Sequence, residues 1–235
     1  VAMREHCRMV SEGIVLDRSL ALGANIRRRG EDVAAGSILV DANTLLDARH
    51  IALLAASGVA EVVAVDVLRV GLVSTGNELR GPDEQPAEHE IYDANRPMLK
   101  AMLRAPWMRL IDGGIVRDDT PALADVLGRL AATADAIVMS GGAMGSDSDH
   151  TAAAIVATGG IARPLRIAQR PGKPIVIGAI DGTPLIGLPG NTSAAMVNCM
   201  LYALPMLMAR AGLQPVRPAG QPAVAQSRFD NTAAR

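Results

Sequence analysis

Between residues 66 and 212, short apolar runs alternate with stretches of helical periodicity, and this alternation leaves few architectures open. Strands that take turns with helices pair in parallel, because each crossover helix returns the chain to the same end of the sheet. Such a sheet is covered on both faces, so its strands read as nearly unbroken apolar runs. The runs here are "RVGLVS", "MRLIDGGIV", "DAIVMS", "KPIVIG" and "PLIGL". The predicted helices are "ANRPMLKAMLR", "TPALADVLGRLAA", "SDHTAAAIVATGG" and a long closing helix at 191–210. The first of them has Asp93 or Asn95 near its cap and Pro97 in its first turn. Residues 1–64 are turn-rich by contrast, with a predicted helix "DARHIALLAASG" stopped by Gly58 and a predicted strand "VAEVVAV". The expected fold class is α/β: a parallel-sheet domain at 65–212 with helices on both faces, preceded by a smaller, partial mixed α/β segment at 1–64. Residues 213–235 show no periodicity and read as a disordered tail or the stub of a further domain.

Composition narrows the function classes. The chain has 235 residues, 49% of them hydrophobic and 20% charged, which is enough for a well-buried core. A formal net charge of −1 gives no overall field for nucleic acid or an anionic membrane, and 2% aromatic residues cannot build a base-stacking platform. Neither nucleic acid nor membrane is therefore expected as a partner. Cys7 and Cys199 lie outside any CxxC and cannot form a disulfide framework. With no signal-peptide pattern, the expectation is a reduced, cytoplasmic protein in which the sequon at Asn191 carries no weight. The longest apolar run, "AAMVNCMLYALPMLMA", is interrupted by Asn198 and Pro205, so a buried helix is expected rather than a bilayer span. The four histidines show no zinc-ligand spacing.

Four loops fall where strands end and helices begin, the edge at which open α/β sheets bind ligands. They are "STGNEL" (74–79), "VRDDTP" (116–121), "SGGAMGSDSD" (140–149) and "GLPGNTS" (187–193). The paired glycines after Ser140 allow backbone N–H groups to approach an anion, although the spacing matches neither GxGxxG nor a P-loop. On this motif alone, a plain tight turn explains the same residues slightly better. Asp147 and Asp149 do not open a calcium loop, because the required Gly and Glu are replaced by Ala152 and Thr158. Magnesium held by one or two carboxylates plus a substrate phosphate stays open, as does simple capping by Ser148 or Asp149. Glu78 could ligate a metal, act as a base or sit on the surface; Asp118 and Asp119 could be first-turn charges. "RPGKP" stiffens a loop that carries Arg170 and Lys173, with Arg166 just before it, a set suited to an oxyanion or to a solvated rim. "RRRGED" (27–32) mixes signs and reads as a solvated or intersubunit surface.

In order and spacing, "STGNEL", "IYDANRPML", "SGGAMGSDSD", "RPGKP" and "GLPGNT" resemble the molybdopterin molybdenumtransferases, the MoeA-type insertases related to gephyrin E domains. Residues 23–63 share the likeness, which extends to about residue 212. The resemblance implies a molybdopterin-binding α/β domain that binds adenylylated molybdopterin, cleaves its phosphoanhydride with Mg²⁺, inserts molybdate and releases AMP. It implies catalytic roles for Glu78, Asp118 and Asp149, with Asp149 and Glu78 on the metal. It implies substrate binding by Thr75, Gly76, Ser140, Gly141, Gly142, Arg166, Arg170, Lys173, Pro189, Gly190 and Asn191. A homodimer is implied, as is hand-over involving a molybdopterin adenylyltransferase or molybdoenzymes. The sequence departs from the family pattern at Asn77 (usually Asp), Ser146 (a glycine position), Thr192 (usually the second proline) and two basic positions where arginine replaces lysine. The family pattern also leads one to expect that the chain begins inside the family's architecture and ends in a reduced C-terminal domain. Two other readings stay open at this point: an adenylyltransferase that attaches AMP to molybdopterin, and a pterin-binding or scaffolding module without turnover.

Overall fold

The computed structural model describes residues 1–141, 150–215 and 224. The chain divides into two compact units, Val1–Val62 and Val63–Arg235.

In the first unit, β1 (Cys7–Val10) and β2 (Gly13–Leu16) form an antiparallel hairpin, with Cys7 opposite Leu16. The helix α1 (Ala48–Ala56) begins at a reciprocal cap. The Asp47 carboxylate accepts from the N–H groups of Arg49 and His50, and His50 Nδ1 accepts from the Asp47 N–H. The helix ends at Gly58 as predicted, with the Val59 N–H bonded back to Leu54 O. The predicted strand at 59–65 is absent: residues 59–67 carry no strand, and Val63 is fully exposed. Valine-rich sequence favours a pleated surface only where a neighbouring strand supplies the hydrogen bonds, and this stretch has none. Within "RRRGED" the Arg27 side chain pairs with Asp32 at 2.7 Å, and the Glu31 carboxylate accepts from the Arg28 backbone N–H.

The second unit is built in the order β3 (Leu68–Thr75), β4 (Leu79–Arg80), β5 (Ile91–Tyr92), α2 (Asn95–Met102), β6 (Met108–Val116), α3 (Thr120–Thr133), β7 (Ala136–Ser140) and α4 (His150–Ala157). It continues with β8 (Ile161–Arg166), β9 (Pro174–Ile180), β10 (Thr183–Leu188), α5 (Thr192–Asn198), a π turn at Cys199–Ala203 and α6 (Leu204–Arg210). Six strands make one sheet in the order β6-β3-β7-β10-β9-β8. The first four run parallel, as expected, whereas β9 runs antiparallel to β10 and β8 antiparallel to β9, which returns β8 to the direction of the first four. Asp181 and Gly182 explain the switch. They connect β9 to β10 in two residues with φ +46° and +80°, too short a link for a crossover and suited to a tight hairpin. The edge strand β8 was not expected from sequence, because Pro164 interrupts it. On an edge, proline's missing N–H breaks no ladder bond.

Helices cover both faces. Leu72, Val138 and Leu188 face α2 and the closing helix, packing on Leu99, Cys199 and Leu207. Val73, Ile137 and Met139 face α3 and α4, packing on Leu123, Leu127 and Ile155. Each fully buried Leu or Ile side chain contributes roughly 1.5–3 kcal/mol, so both faces are needed to hold the sheet. Thr192–Arg210 is long and apolar enough by composition to cross a membrane. Here Ala195, Cys199, Ala203 and Leu207, spaced four apart, bury one side of it in the core. Burial pushes the Cys199 thiol up to about 12, which keeps it protonated and unreactive at neutral pH.

One ion-pair cluster gives the fold a pH dependence. Burial alone would raise the Asp112 carboxyl. The hydrogen bonds from Arg96 and Lys100, and one from the Gly114 N–H, outweigh it and hold the group at about 2. A carboxyl lowered from 3.8 stabilises the fold above its ordinary value and loses that contribution as the pH falls from about 4 to about 2. Asp112→Asn is therefore expected to flatten stability against pH in that window and leave it unchanged in slope above pH 5. Urea midpoints measured across the range check this. An unaltered acid limb would contradict the assignment. The side chain is 37% exposed, so the effect is a modest one.

Candidate functional site

The parallel strands all end at one edge of the sheet, and the chain gathers its polar loops there. At the centre three turns touch. The Gly141 N–H donates to Leu188 O at 3.2 Å, and a Cβ added to Gly141 would stand 2.0 Å from Thr75 O. A Cβ added to Gly190 would stand 4.0 Å from Gly141 Cα. Only glycine allows the backbone at 141 (φ +98°) to lie this close to the end of β3. Thr75, Gly76, Ser140, Gly141 and Pro189 are buried, while Gly190 and Asn191 reach the surface. Asn191 caps α5, its Oδ1 accepting from the Ala194 N–H at 3.1 Å. Thr192 begins that helix in the usual way, where the family pattern has a proline.

Asn95 ties these turns together. It is 7% exposed, and its Nδ2 donates to Ser140 Oγ at 2.8 Å and to Gly190 O at 2.7 Å. The capping role expected for Asp93 or Asn95 falls to Asp93, whose Oδ1 accepts from the Arg96 N–H at 3.0 Å. Asn95 instead turns inward, a role that its sequence position did not signal. Ser74 Oγ, Asp93 Oδ2 and Asn95 Oδ1 are buried without a partner among the described residues. A buried polar atom left unpaired costs about 1–3 kcal/mol, and such atoms gather where a ligand or water completes the structure.

The acidic end lies on β3 and β6. Thr75 Oγ1 donates to Asp118 Oδ1 at 2.8 Å, and the Asn77 N–H makes a longer contact to Oδ2 at 3.4 Å. Asn77 Oδ1 accepts from the Asp118 N–H at 3.2 Å, so the amide that replaces the family's acid is a clip between the two loops. Asp118 and Asp119 have separate jobs. Asp119 caps α3 by accepting from the Ala122 N–H at 2.8 Å, while Asp118 faces back onto β3. Glu78 is exposed, with its carboxylate near Gly76. Among the described residues no three of His, Cys, Asp or Glu come together as a ready-made metal site. Gly142 and Asp149, with the Ser148 and Ser146 positions, lie outside the described residues.

The basic end lies on β8 and β9. Arg166 closes β8 opposite Pro174, and residues 167–173 form the hairpin between the strands, pinned by the Ile167 N–H on Lys173 O at 2.8 Å. Arg166, Arg170 and Lys173 are exposed and form no ion pair with a described residue. The sheet order thus sets carboxylates at one end, glycine turns in the middle and cations at the other. From β3 to β9 is three inter-strand steps, about 14 Å at the usual spacing. The described residues among the expected site set share an edge, but they do not share one point: an elongated ligand would span them.

Comparisons with known proteins agree with this geometry. Residues 71–209 match the family described as the probable molybdopterin binding domain, and residues 1–58 match the MoeA N-terminal region (domain I and II). The molybdopterin molybdenumtransferase of Haemophilus influenzae is 31% identical over 208 residues, covering 88% of this chain and 51% of the relative. Molybdopterin molybdenumtransferase 2 of Mycobacterium tuberculosis is 32% identical over 223 residues, covering 88% and 53%. The crystal structure of a molybdopterin biosynthesis MoeA protein from Pyrococcus horikoshii superposes with a TM-score of 0.72 at 31% identity, over 90% of this chain and 53% of that one. The chain spans about half the length of the curated relatives it matches. With most of its second unit inside the matched region and the glycine turns at the sheet edge, the chain belongs to the molybdopterin-binding domain family, carried behind a MoeA-type N-terminal region.

Proposed function

We propose that this chain is the pterin-binding part of a molybdopterin molybdenumtransferase, which inserts molybdate into adenylylated molybdopterin and releases AMP. The observation that carries the reading is the ordered edge, with Asp118 fixed by Thr75 and Asn77, touching turns at Gly141 and Gly190, and cations at Arg166, Arg170 and Lys173 that pair with no acid among the described residues. A pterin nucleotide is long, anionic along its phosphates and flat at one end, and molybdate is a tetrahedral dianion. Both need donors and cations spread along an edge rather than gathered at one point.

In this reading the backbone around Ser140, Gly141 and Gly190 cradles the pterin or its phosphate, and Asn95 keeps the two turns in register. Arg166, Arg170 and Lys173 offset the charge of the incoming oxyanion. Glu78 and Asp149 would supply the hard oxygen donors that Mg²⁺ takes when one or two carboxylates and substrate phosphates share it, and Asp118 would join them as a third carboxylate. Asp118 fits because, among the described residues, only the 3.4 Å contact from the Asn77 N–H reaches its Oδ2. When bound, the ion would withdraw charge from the phosphoanhydride oxygens. Thr75 and Asn77 hold the Asp118 carboxylate in place for that work. A homodimer, a cytoplasmic setting and hand-over to or from other proteins of the pathway belong to the same proposal.

The test is to incubate the protein with adenylylated molybdopterin, Mg²⁺ and molybdate and to follow AMP. Release that depends on molybdate is the expected result. Tight binding without release would leave a non-catalytic module. Formation of adenylylated product from ATP and free molybdopterin would mean an adenylyltransferase, a reading that the match of residues 1–58 to the MoeA N-terminal region disfavours.

A further inference from the structure

The cation hairpin at 167–173 is held by a neutral hydrogen-bond network that reaches it from the closing helix. Asn198, fully buried at the end of α5, donates from Nδ2 to Gly172 O at 3.0 Å. Its Oδ1 accepts from Gln169 Nε2 at 2.6 Å. Gln169 Nε2 also donates to Pro171 O at 2.9 Å, and Gln169 Oε1 accepts from the Tyr202 hydroxyl at 2.9 Å. Gly172 is pressed onto this network: its φ is +97°, and a Cβ there would stand 2.5 Å from Asn198 Oδ1.

The helix is shaped to make these contacts. Pro205 has no N–H to give to the carbonyl of Leu201, and its ring crowds that carbonyl. The chain widens ahead of it into the π turn at Cys199–Ala203, closed by the Leu204 N–H on Cys199 O. Tyr202 sits within that widened turn, four residues after Asn198, and both side chains meet the amide of Gln169. Single π turns inside α-helices recur at functional sites. Here the turn serves a loop that displays two cations.

The chemistry of the network matters as much as its shape. A carboxylate anchor would pair with Arg170 or Lys173 and cancel the charge an anionic ligand needs. Two carboxamides and a phenol fix the loop without doing so. We propose that Gln169, Asn198 and Tyr202 are positioning residues that hold Arg170 and Lys173 ready to receive a tetrahedral oxyanion, with Gln169 as the pivot that bonds to both helix residues and to the loop. The inference rests on the proposed function, in which this end of the edge receives molybdate.

Titration calorimetry of the full chain with molybdate tests it, together with thermal unfolding of each variant. Lys173→Ala locates the anion and is expected to weaken binding at least about tenfold. Gln169→Ala frees the loop and is expected to weaken molybdate binding about tenfold, since the ligand must then order the loop itself. Tyr202→Phe removes one hydroxyl and no packing, and about threefold weaker binding is expected. In the AMP-release assay both variants should raise KM for molybdate and keep kcat. If Gln169→Ala and Tyr202→Phe bind as the wild type does, or lose only thermal stability, the positioning role is wrong and the proposed function stands on Lys173→Ala. If Gln169→Ala does not fold, Tyr202→Phe alone decides. A wild-type chain that binds no molybdate overturns this inference, while AMP release still decides the proposed function.

Discussion

Gly141→Ala is expected to be the most damaging glycine-to-alanine change among the described residues, lowering stability by about 3 kcal/mol or more and abolishing the proposed pterin-nucleotide binding. Two independent costs add at this position. The backbone has φ +98°, where an L side chain is strained, and the new Cβ would stand 2.0 Å from the carbonyl oxygen of Thr75. That oxygen belongs to the end of a central strand and cannot swing aside as a flexible side chain would. Relief requires β3 and β7 to part at the edge where Asp118, Asn95 and Gly190 meet the same turns. Urea denaturation and nucleotide binding check both halves of the expectation. A variant within 0.5 kcal/mol of the wild type, the range of ordinary surface changes, would show that the turn is not packed as described.

In the proposed reaction, Asp118→Asn is expected to lower AMP release on the order of 10²–10⁴-fold and to leave the unfolding midpoint near that of the wild type. The amide is the same size and keeps an oxygen that can accept from Thr75 Oγ1, so the loop stays in place. What is lost is the negative charge. The neighbouring Asp119 provides the internal control. Asp119→Ala removes the cap of α3 and should cost about 1 kcal/mol of stability with turnover retained. The pair thus separates a working carboxylate from a capping one. Release by Asp118→Asn within a few-fold of the wild type would remove Asp118 from the mechanism.

Much of this arrangement was legible in the residue order. Apolar runs at 69–74, 108–116, 135–140 and 184–188 became parallel strands, because a buried parallel strand has no polar face to disguise it. The antiparallel edge is also written in the sequence, as the Asp181–Gly182 pair, since two apolar runs joined by so short a turn can only fold back on each other. The strand β8 was hidden by Pro164, which argues against a strand everywhere except at an edge. The run at 59–65 misled in the opposite direction, since its valines have strand propensity and no partner.

The site divides along the same line. Glycines, carboxylates and cations were found from local chemistry, because each loop announces its own residues by turn and charge. Asn95, Asn198, Gln169 and Tyr202 were not, because a buried amide has no local signature. Its meaning is the pair of distant groups it joins, such as Ser140 and Gly190, 45 and 95 residues away from Asn95. The sequence by itself determined the layered α/β fold, the set of loops at one edge and the family, since these follow from periodicity and from motifs short enough to read in place. Only the tertiary structure decided the order along the edge, with acids on β3 and β6, glycine turns in the middle and cations on β8 and β9. Strand order depends on which crossovers and hairpins pack together over long range, and no stretch of neighbouring residues carries that information.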